Sequence, residues 1–327
     1  MKTNIGIENR KLFLMSLIGL MSPIGLIGPK SPFKTITTMK KLLIILFGCL
    51  LCFSAVAQEL TVGSYNLRNK NQHDSINGNG WNRRVESIAN QIIWEHPDLF
   101  GTQEGLHEQL VDLDVRLKDY KWIGVARDDG KQEGEYSAIF YREDRVELLE
   151  QGNFWLNETP DRPALGWDAA CIRICTWGHF RDRQTKREFY FLNLHMDHVG
   201  VRARAESAKL VMQRITQMTD SGKKLAILTG DFNVPQTDEL YSIFTQSGIL
   251  KDCYANAANR FAENGTYNGF DYHFYTTERI DHILVTPATT VDAFAVLTDG
   301  YWRKDMNGKM SRRTLSDHYP IFARIRF

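Results

Sequence analysis

Two adjacent side chains near the C-terminus, Asp317 and His318, are of the types that catalyse proton transfer. They stand in the sequence SDHYPIFARIRF, directly before a final apolar segment that is typical of a strand. An aspartate beside a histidine can fix the imidazole tautomer and raise its basicity. A Ser-Asp-His-Tyr-Pro segment is poor material for a hairpin or an apolar core, so the pair indicates chemistry.

Polar side chains also stand at the ends of other predicted strands. These residues are Asn66 of SYN, Glu104 of TQE, His195 of NLHMDH, Asp231 and Asn233 of GDFN, and Asp281 at the start of DHILV. Strand ends with apolar residues on one side and loops on the other meet at one edge of a sheet, where sites are commonly built. We therefore expect these side chains to form a single site.

The residue types in this set predict a hard metal ion and an anionic substrate. Glu104 and the aspartates offer oxygen ligands with no cysteine nearby, so the expected ion is Mg²⁺ or Mn²⁺. Such a group can activate water, hold a phosphate and stabilise a pentavalent transition state, which predicts phosphoester hydrolysis. A zinc site on His195 and His198 would lack a third soft ligand at a suitable spacing.

The elements that must position these residues follow a β-α-β-α order and then a β meander. Apolar periodicity predicts helices at 82–96, 106–117, 204–218 and 237–245, with short strands between them and a long loop within 154–180. No linker rich in Pro, Gly or Ser divides the chain after residue 58. We expect one domain, residues 58–327, with two β-rich layers and helices outside them.

The first 57 residues have the composition of an export signal. From Met39 the chain reads MKKLLIILFGCLLCFSAVAQ, with two lysines, a short apolar run and an Ala-x-Ala site before Gln58. Met39 is the expected start, and a periplasmic or extracellular location is the expected destination. A lipid anchor on Cys49 is the alternative.

Charge and cysteine content restrict the function further. Residues 1–57 contain seven Lys or Arg and one Glu, so their removal changes the formal net charge from +1 to about −5. This balance disfavours tight nonspecific binding to duplex phosphates. Cys171, Cys175 and Cys253 remain, which allows at most one disulfide, and Cys171 and Cys175 are too far apart in an extended run to form it.

Seven motifs together resemble the endonuclease/exonuclease/phosphatase superfamily, which has the fold of deoxyribonuclease I. They are SYNLR, TQE, EYSAIFYR, NLHMDH, GDFN, RIDHILV and SDHYP, in that order, and the resemblance covers residues 60–327. It implies a four-layer α/β/β/α sandwich of two mainly antiparallel sheets.

The resemblance also implies roles for individual residues. Glu104 would be the main metal ligand, assisted by Asn66 and Asp317. His318, oriented by Asp281, would act on the water or the phosphate together with Asp231. His195, paired with Glu135, would polarise the phosphate, and Asn233 would hold one of its oxygens.

The resemblance predicts the chemistry better than the substrate. His195 places the chain in the branch with two histidines, and the loop at 158–177 is similar to that of a bacterial group resembling deadenylases. We expect a monomer that hydrolyses a phosphodiester of a nucleic acid, nucleotide or phospholipid head group. The alternatives are a phosphomonoesterase acting on a sugar or inositol phosphate, and a non-catalytic binding module. Arg162, Arg173 and Arg303 are candidates to bind a non-reacting phosphate.

Overall fold

The computed structural model describes residues 59–304 and 308–327. The predicted export signal, including Met39 and Cys49, lies outside these residues. The strands of the described chain are β1 (Glu59–Asn66), β2 (Leu99–Gln103), β3 (Gly105–Leu106), β4 (Tyr120–Ile123), β5 (Glu135–Tyr136), β6 (Ile139–Arg142), β7 (Val146–Trp155), β8 (Ile174–Asp182), β9 (Glu188–His195), β10 (Leu225–Asp231), β11 (Lys251–Asp252), β12 (Asn259–Phe261), β13 (Asp281–Val285), β14 (Thr290–Val296), β15 (Gly300–Lys304), β16 (Met310–Thr314) and β17 (Ile321–Arg326).

Helices connect several of these strands. They are α1 (Gln72–Ile76), α2 (Trp81–Glu95), α3 (His107–Arg116), α4 (Val201–Met218), α5 (Ser242–Thr245) and α6 (Cys253–Asn256), with a short 3₁₀ segment at Glu239–Tyr241. In α2 the buried residues include Val85, Ile88 and Ile92, which share one face at a spacing of three and four residues. The helix ends at Glu95 and is capped by His96, whose backbone is left-handed and which directly precedes Pro97.

Two sheets form the centre of the described structure. The first has the strand order β12-β14-β17-β1-β2-β6-β4, and the second has the order β11-β13-β10-β9-β8-β7. Pairing is antiparallel except for β1 with β2, β9 with β10, and β12 with β14. The pairs β3-β5 and β15-β16 form separate two-stranded sheets.

Three buried apolar clusters define four layers. One cluster lies between the sheets and includes Val62, Phe191 and Ile283. A second packs α4 on the outer side of the second sheet, and a third packs α2 and α3 on the outer side of the first sheet. The predicted four-layer α/β/β/α sandwich is therefore confirmed.

A polar layer lies between the apolar core and the strand ends, and Asn193 is at its centre. The Asn193 amide donates to the backbone carbonyls of Thr102, at 2.8 Å, and Ala138, at 3.0 Å. Its oxygen accepts from Gln103 Nε2 at 2.7 Å and from Thr229 Oγ1 at 3.1 Å. Since the buried Asn193 amide is engaged at both its nitrogen and its oxygen, it holds the second sheet against the first.

Some predicted elements differ in extent. Strand β7 continues to Trp155 and β8 begins at Ile174, so the predicted loop within 154–180 is shorter than expected. The predicted helix at 237–245 consists of the 3₁₀ segment followed by α5. Hairpin β15-β16 was not predicted. Cys171, Cys175 and Cys253 are free thiols.

Candidate active site

The polar strand ends meet at one edge of the sandwich, around a cavity of about 450 Å³. Seven of the predicted site residues line it: Glu104, Glu135, His195, Asp231, Asn233, Asp317 and His318. Asn66 and Asp281 lie behind this wall and are hydrogen-bonded to residues that line it. The structure therefore brings the whole predicted set together.

His318 is buried and held between two aspartates. Its Nδ1 lies 2.8 Å from Oδ2 of Asp281, and its Nε2 lies 3.7 Å from Oδ2 of Asp231. Burial alone would lower the pKa of His318, but the carboxylates of Asp281 and Asp231 raise it well above its usual value. The ring is therefore an imidazolium at neutral pH, with its Nε2–H on the side of Asp231.

Asp231 lies between the two histidines of the site. Its Oδ2 accepts a hydrogen bond of 3.0 Å from Asn66 Nδ2, and its Oδ1 accepts one of 2.9 Å from the backbone N–H of Asn233. Burial and the nearby charge of Asp281 raise the pKa of Asp231 to about 7, although His318 acts in the opposite direction. A carboxyl group of this kind can exchange a proton near neutral pH.

His195 approaches the same carboxylate from the other side, with Nε2 3.6 Å from Oδ2 of Asp231. Burial lowers the pKa of His195 well below its usual value, and the charges of Arg173 and Arg127 lower it further. His195 is therefore neutral at neutral pH, and its contact with Asp231 is not an ion pair. The two histidines of the site differ in charge, because carboxylates raise the pKa of His318 whereas burial and the two arginines lower that of His195.

The predicted pairing of His195 with Glu135 is wrong. Glu135 accepts a hydrogen bond of 2.9 Å from Asn69 Nδ2 and another from Arg127 Nη1. Among the described residues, His195 Nδ1 has no hydrogen-bond partner. The guanidinium of Arg127 explains the difference, since a permanent positive charge attracts the carboxylate more strongly than a neutral imidazole does.

Glu104 and Asp317 are suited to hold a divalent cation. Glu104 accepts from Asn66 Nδ2 at 3.0 Å and from the backbone N–H of Asn69 at 3.1 Å. Burial raises the pKa of Asp317 and the nearby charge of Glu104 raises it further, although His318 and Arg68 act in the opposite direction. Two carboxylates that repel each other beside a cavity fit a cation, and an oxygen donor set fits Mg²⁺ or Mn²⁺.

Asn66 has an orienting place in this arrangement. Its Nδ2 donates to both Glu104 and Asp231, while its Oδ1 accepts from the backbone N–H of Arg68 at 2.9 Å. Its amide oxygen is therefore already engaged, and Asn66 connects the carboxylates on the two sides of the cavity.

Asp231, Asp281 and His318 form a separate group, in which each residue offers one potential ligand atom and these atoms lie within 4.8 Å of one another. The hydrogen bond between His318 Nδ1 and Asp281 Oδ2 already engages one potential ligand atom of each of these two residues. That engagement fits proton transfer better than metal binding.

The backbone is left-handed at three residues that line the cavity, the first of which is Arg68, with a φ of 57°. Glu104 has a φ of 63° and Asn233 a φ of 49°, both in the left-handed region. Asn233 tolerates this conformation better than most residues, and its Nδ2 donates to the carbonyl of Met196 at 2.9 Å. These turns direct both side chains from the strand ends into the cavity.

Sequence reasoning missed several residues that line the cavity. Arg68, Asn69 and Arg127 were not among the predicted site residues, and Tyr267, Cys171 and His198 also line it. Arg173, a predicted candidate to bind a non-reacting phosphate, lines the cavity as well. Arg68 follows Asn66 by two positions, so its place in the loop directly after a predicted strand end was a signal for it. Arg162 is exposed and Arg303 contacts the carbonyl of Gly78, and neither lines the cavity.

A family model described as "Endonuclease/Exonuclease/phosphatase family" matches residues 63–318, which include every residue of the site. The chain belongs to the endonuclease/exonuclease/phosphatase family. Members of this family are phosphoester hydrolases and generally depend on a divalent metal ion, so the resemblance noted in the sequence is confirmed. A comparison of the sequence with curated proteins gave no match.

Solved structures of family members are similar to this chain over nearly their whole length. A protein from Bacteroides thetaiotaomicron titled as an endonuclease/exonuclease/phosphatase family protein is 49% identical, with a TM-score of 0.81, over 82% of this chain and 98% of the other. The mannosyl-6-phosphatase Bt3783 of the same organism is also 49% identical, with a TM-score of 0.80, over 82% of this chain and 100% of the other. A family protein from Bacteroides vulgatus is 36% identical, with a TM-score of 0.73, over 83% and 99%.

Across the described residues, the structure has no helix with the length and apolar character needed to span a bilayer.

Proposed function

We propose that this family member is a phosphomonoesterase that removes phosphate from a sugar phosphate, with a mannoside 6-phosphate as the first candidate. The catalytic part of the proposal is supported by His318, which contacts Asp281 through Nδ1 and faces Asp231 through Nε2. The substrate part is supported by the 49% identity to a mannosyl-6-phosphatase along that protein's full length. The sequence alone favoured a phosphodiester, and this relative favours the monoester alternative.

In the proposed reaction, Asp231 accepts the proton of the attacking water. His318 is unsuited to that role, because its bond to Asp281 stabilises the protonated ring, whose Nε2–H can only donate. Asp231 Oδ2 lies within 3.7 Å of Nε2 of both histidines. A water bound to this oxygen would therefore have His195 on one side and His318 on the other, and both rings could donate to the phosphate that it attacks. General-base assistance of this type contributes roughly 10²- to 10⁴-fold in rate.

The other residues act on the phosphate. The imidazolium of His318 donates to a phosphate oxygen and stabilises the charge that develops as the bond to the leaving group breaks. Neutral His195 and Asn233 provide further polar contacts. A Mg²⁺ or Mn²⁺ ion held by Glu104 and Asp317 would supply a Lewis acid that withdraws charge from the phosphate.

A phosphodiesterase is the second candidate, and one observation favours it. The ring of Tyr267 is 44% exposed at the cavity and stands edge-on to His318, with 5.2 Å between the ring centroids. An exposed ring beside a phosphate site can stack on a base of a nucleic-acid substrate.

The test is hydrolysis by residues 58–327 of mannose 6-phosphate, p-nitrophenyl phosphate, bis-p-nitrophenyl phosphate and single-stranded RNA, each with Mg²⁺, Mn²⁺ or EDTA. We expect metal-dependent turnover of the monoesters that falls by at least about 100-fold in His318→Ala. His73→Ala, at an exposed position, is the control. Turnover of the diesters alone would contradict the proposed substrate class, and full activity in His318→Ala would contradict the proposed site.

We also propose that the protein is exported after cleavage before Gln58. The Ala-x-Ala sequence at residues 55–57 supports this. Mass spectrometry of the native N-terminus is the test. A chain beginning near Gln58 is expected, whereas an intact Met1 or a lipidated Cys49 would contradict cleavage before Gln58.

A further inference from the structure

A cluster of polar side chains lines the cavity near His195 and has no role in the mechanism above. It consists of Cys171, Arg173, Asp197 and His198, of which Cys171, Arg173 and His198 line the cavity. Arg173 is only 4% exposed. Its Nη1 is buried and has no hydrogen-bond partner among the described residues. A buried guanidinium N–H without an acceptor is unfavourable, so a ligand that supplied one would be bound preferentially.

The guanidinium is fixed in place by Asp197. Arg173 Nε lies 3.4 Å from Asp197 Oδ2. The two oxygens of Asp197 also accept from four backbone N–H groups, those of Ala170, Cys171, Val199 and Gly200. Burial by itself would raise the pKa of Asp197, but these hydrogen bonds and Arg173 lower it to about 2. Asp197 is therefore a permanent anion on a rigid turn and a fixed support for Arg173.

His198 holds the other arm of the guanidinium. Arg173 Nη2 lies 3.0 Å from His198 Nδ1. Because a guanidinium nitrogen can only donate, Nδ1 of His198 is the acceptor in this hydrogen bond. Nε and Nη2 are thus engaged within the protein, whereas Nη1 is buried beside the cavity without an acceptor among the described residues.

The same cluster has the residue types of a metal site, since ligand atoms of Cys171, Asp197 and His198 lie within 4.8 Å of one another. A cation there would have to displace the guanidinium from both Asp197 and His198. It would also compete with four backbone N–H groups for the oxygens of Asp197. The contacts therefore fit recognition of an anion and not of a cation.

We propose that Arg173, supported by Asp197 and His198, selects phosphomonoesters over phosphodiesters by donating from Nη1 to a terminal phosphate oxygen. A monoester dianion has three terminal oxygens and two charges, whereas a diester has two terminal oxygens and one charge. An additional charge-assisted donor therefore favours the monoester. This inference rests on the proposed function and assigns the substrate preference of that site to one side chain.

The test compares Arg173→Met and Arg173→Lys with the wild type. The kcat/KM is measured for p-nitrophenyl phosphate and bis-p-nitrophenyl phosphate, and inorganic phosphate binding is measured by calorimetry with Mg²⁺. We expect Arg173→Met to lower the monoester kcat/KM and the phosphate affinity by about 10- to 100-fold, with the diester changed less than about threefold. Arg173→Lys keeps the positive charge beside Asp197 but has a single nitrogen donor. Its monoester kcat/KM and phosphate affinity should therefore lie between those of the wild type and those of Arg173→Met.

Arg183→Met is the matched control, because Arg183 lies just beyond the opposite end of β8 and contacts the carbonyl of Glu143. Its monoester preference should equal that of the wild type. A wild type that prefers diesters would overturn the proposed function together with this inference. A wild type that prefers monoesters, with Arg173→Met and Arg173→Lys retaining the preference and the phosphate affinity, would overturn the role of Arg173 alone. Equal loss on both substrates would also overturn it, since that result indicates a general structural role.

Discussion

Glu104 adopts a backbone conformation that residues with a Cβ rarely adopt. Its φ of 63° costs roughly 1–2 kcal/mol relative to a right-handed conformation. The conformation lets the carboxylate leave the end of β2 and accept from both Asn66 and the backbone N–H of Asn69. The strain is thus retained at a residue whose side chain the proposed chemistry requires.

Comparison of Glu104→Ala with Glu104→Gly separates the strain from the chemistry. Both variants lose the carboxylate, so turnover should fall by orders of magnitude in each. Glycine accepts positive φ at no steric cost, so Glu104→Gly should be more stable than Glu104→Ala by about 1 kcal/mol. Urea unfolding measures the difference, and the reverse order of stability would contradict the strain.

Asp281 offers a second substitution that separates charge from shape. Asparagine at this position can still contact His318 Nδ1 but cannot stabilise an imidazolium. Asp281→Asn should therefore lower kcat by roughly 10²- to 10⁴-fold with little change in the circular dichroism spectrum. Asp292→Asn makes the same chemical change at an ion pair with Arg326 outside the site and should leave kcat unchanged. An unaltered kcat in Asp281→Asn would show that His318 works without this carboxylate.

Residue types at strand ends could be predicted from the sequence because strand alternation determines which side chains face the gap. Asn66, His195 and Asp231 follow this rule. The partners of Glu135 could not be predicted, since Arg127 lies in an irregular segment between β4 and β5 where no periodicity gives the side-chain direction. The direction of the Arg173 side chain could not be predicted for the same reason, because Arg173 lies in the irregular segment just before β8.

The turn between β8 and β9 is supported by a buried ion pair. Arg145 Nη1 donates to Asp182 Oδ1 at 2.6 Å, and the same oxygen accepts from the backbone N–H groups of Gln184 and Thr185. Burial alone would raise the pKa of Asp182, but these hydrogen bonds lower it below its usual value. The pair joins this turn to the start of β7.

Asp182→Asn should destabilise the fold by roughly 3–5 kcal/mol at neutral pH, because Arg145 loses its buried counter-charge. The folded-state pKa of Asp182 is below the unfolded value, so its contribution is present above the unfolded pKa and is lost as the pH falls through the folded one. The difference in free energy of unfolding between wild type and variant should therefore shrink in acid. Urea titrations at pH 7 and pH 3 measure it, and a difference that grows in acid would contradict this assignment.

Long periodic elements such as α2 and α4 were predicted nearly to their observed ends, since each buries a regular apolar face. Hairpin β15-β16 was not, because its arginines, lysine and serine show no apolar alternation. The segment at 237–245 has the composition of a helix, yet Asp238 caps a 3₁₀ turn through its contact with the backbone N–H of Leu240. Local polar contacts determined the structure there.

The two sheets approach closely at Gly101, below the catalytic edge. A Cβ at this position would lie 2.2 Å from Asn193 Oδ1 and 2.7 Å from Thr229 Oγ1. Only glycine therefore allows β2 to pack against the polar layer that joins the sheets. The separation between Glu104 on one sheet and Asp231 on the other depends on this contact.

Gly101→Ala should destabilise the protein by roughly 1–3 kcal/mol, as expected for overpacking, and lower kcat as the sheets move apart. Gly248→Ala is the control: a Cβ there has no neighbour within 4 Å, although φ is 75°, so it isolates the backbone cost. Thermal unfolding and kcat are the measurements. Equal effects of the two substitutions would mean that the sheets tolerate a wider spacing.

The residues of β9 and β10 that face the other sheet become more polar in the same order along each strand. Along β9 they are Phe189, Phe191, Asn193 and His195, and along β10 they are Leu225, Ile227, Thr229 and Asp231. Towards the cavity, two hydrophobic residues are followed by one neutral polar residue and then by one ionisable residue, at a spacing of two positions. Mutations at the last position of each strand change the lining of the cavity without removing the hydrogen bonds of Asn193 to the other sheet. Proteins built on these strands can therefore differ in substrate while they keep the same packed layers beneath the cavity.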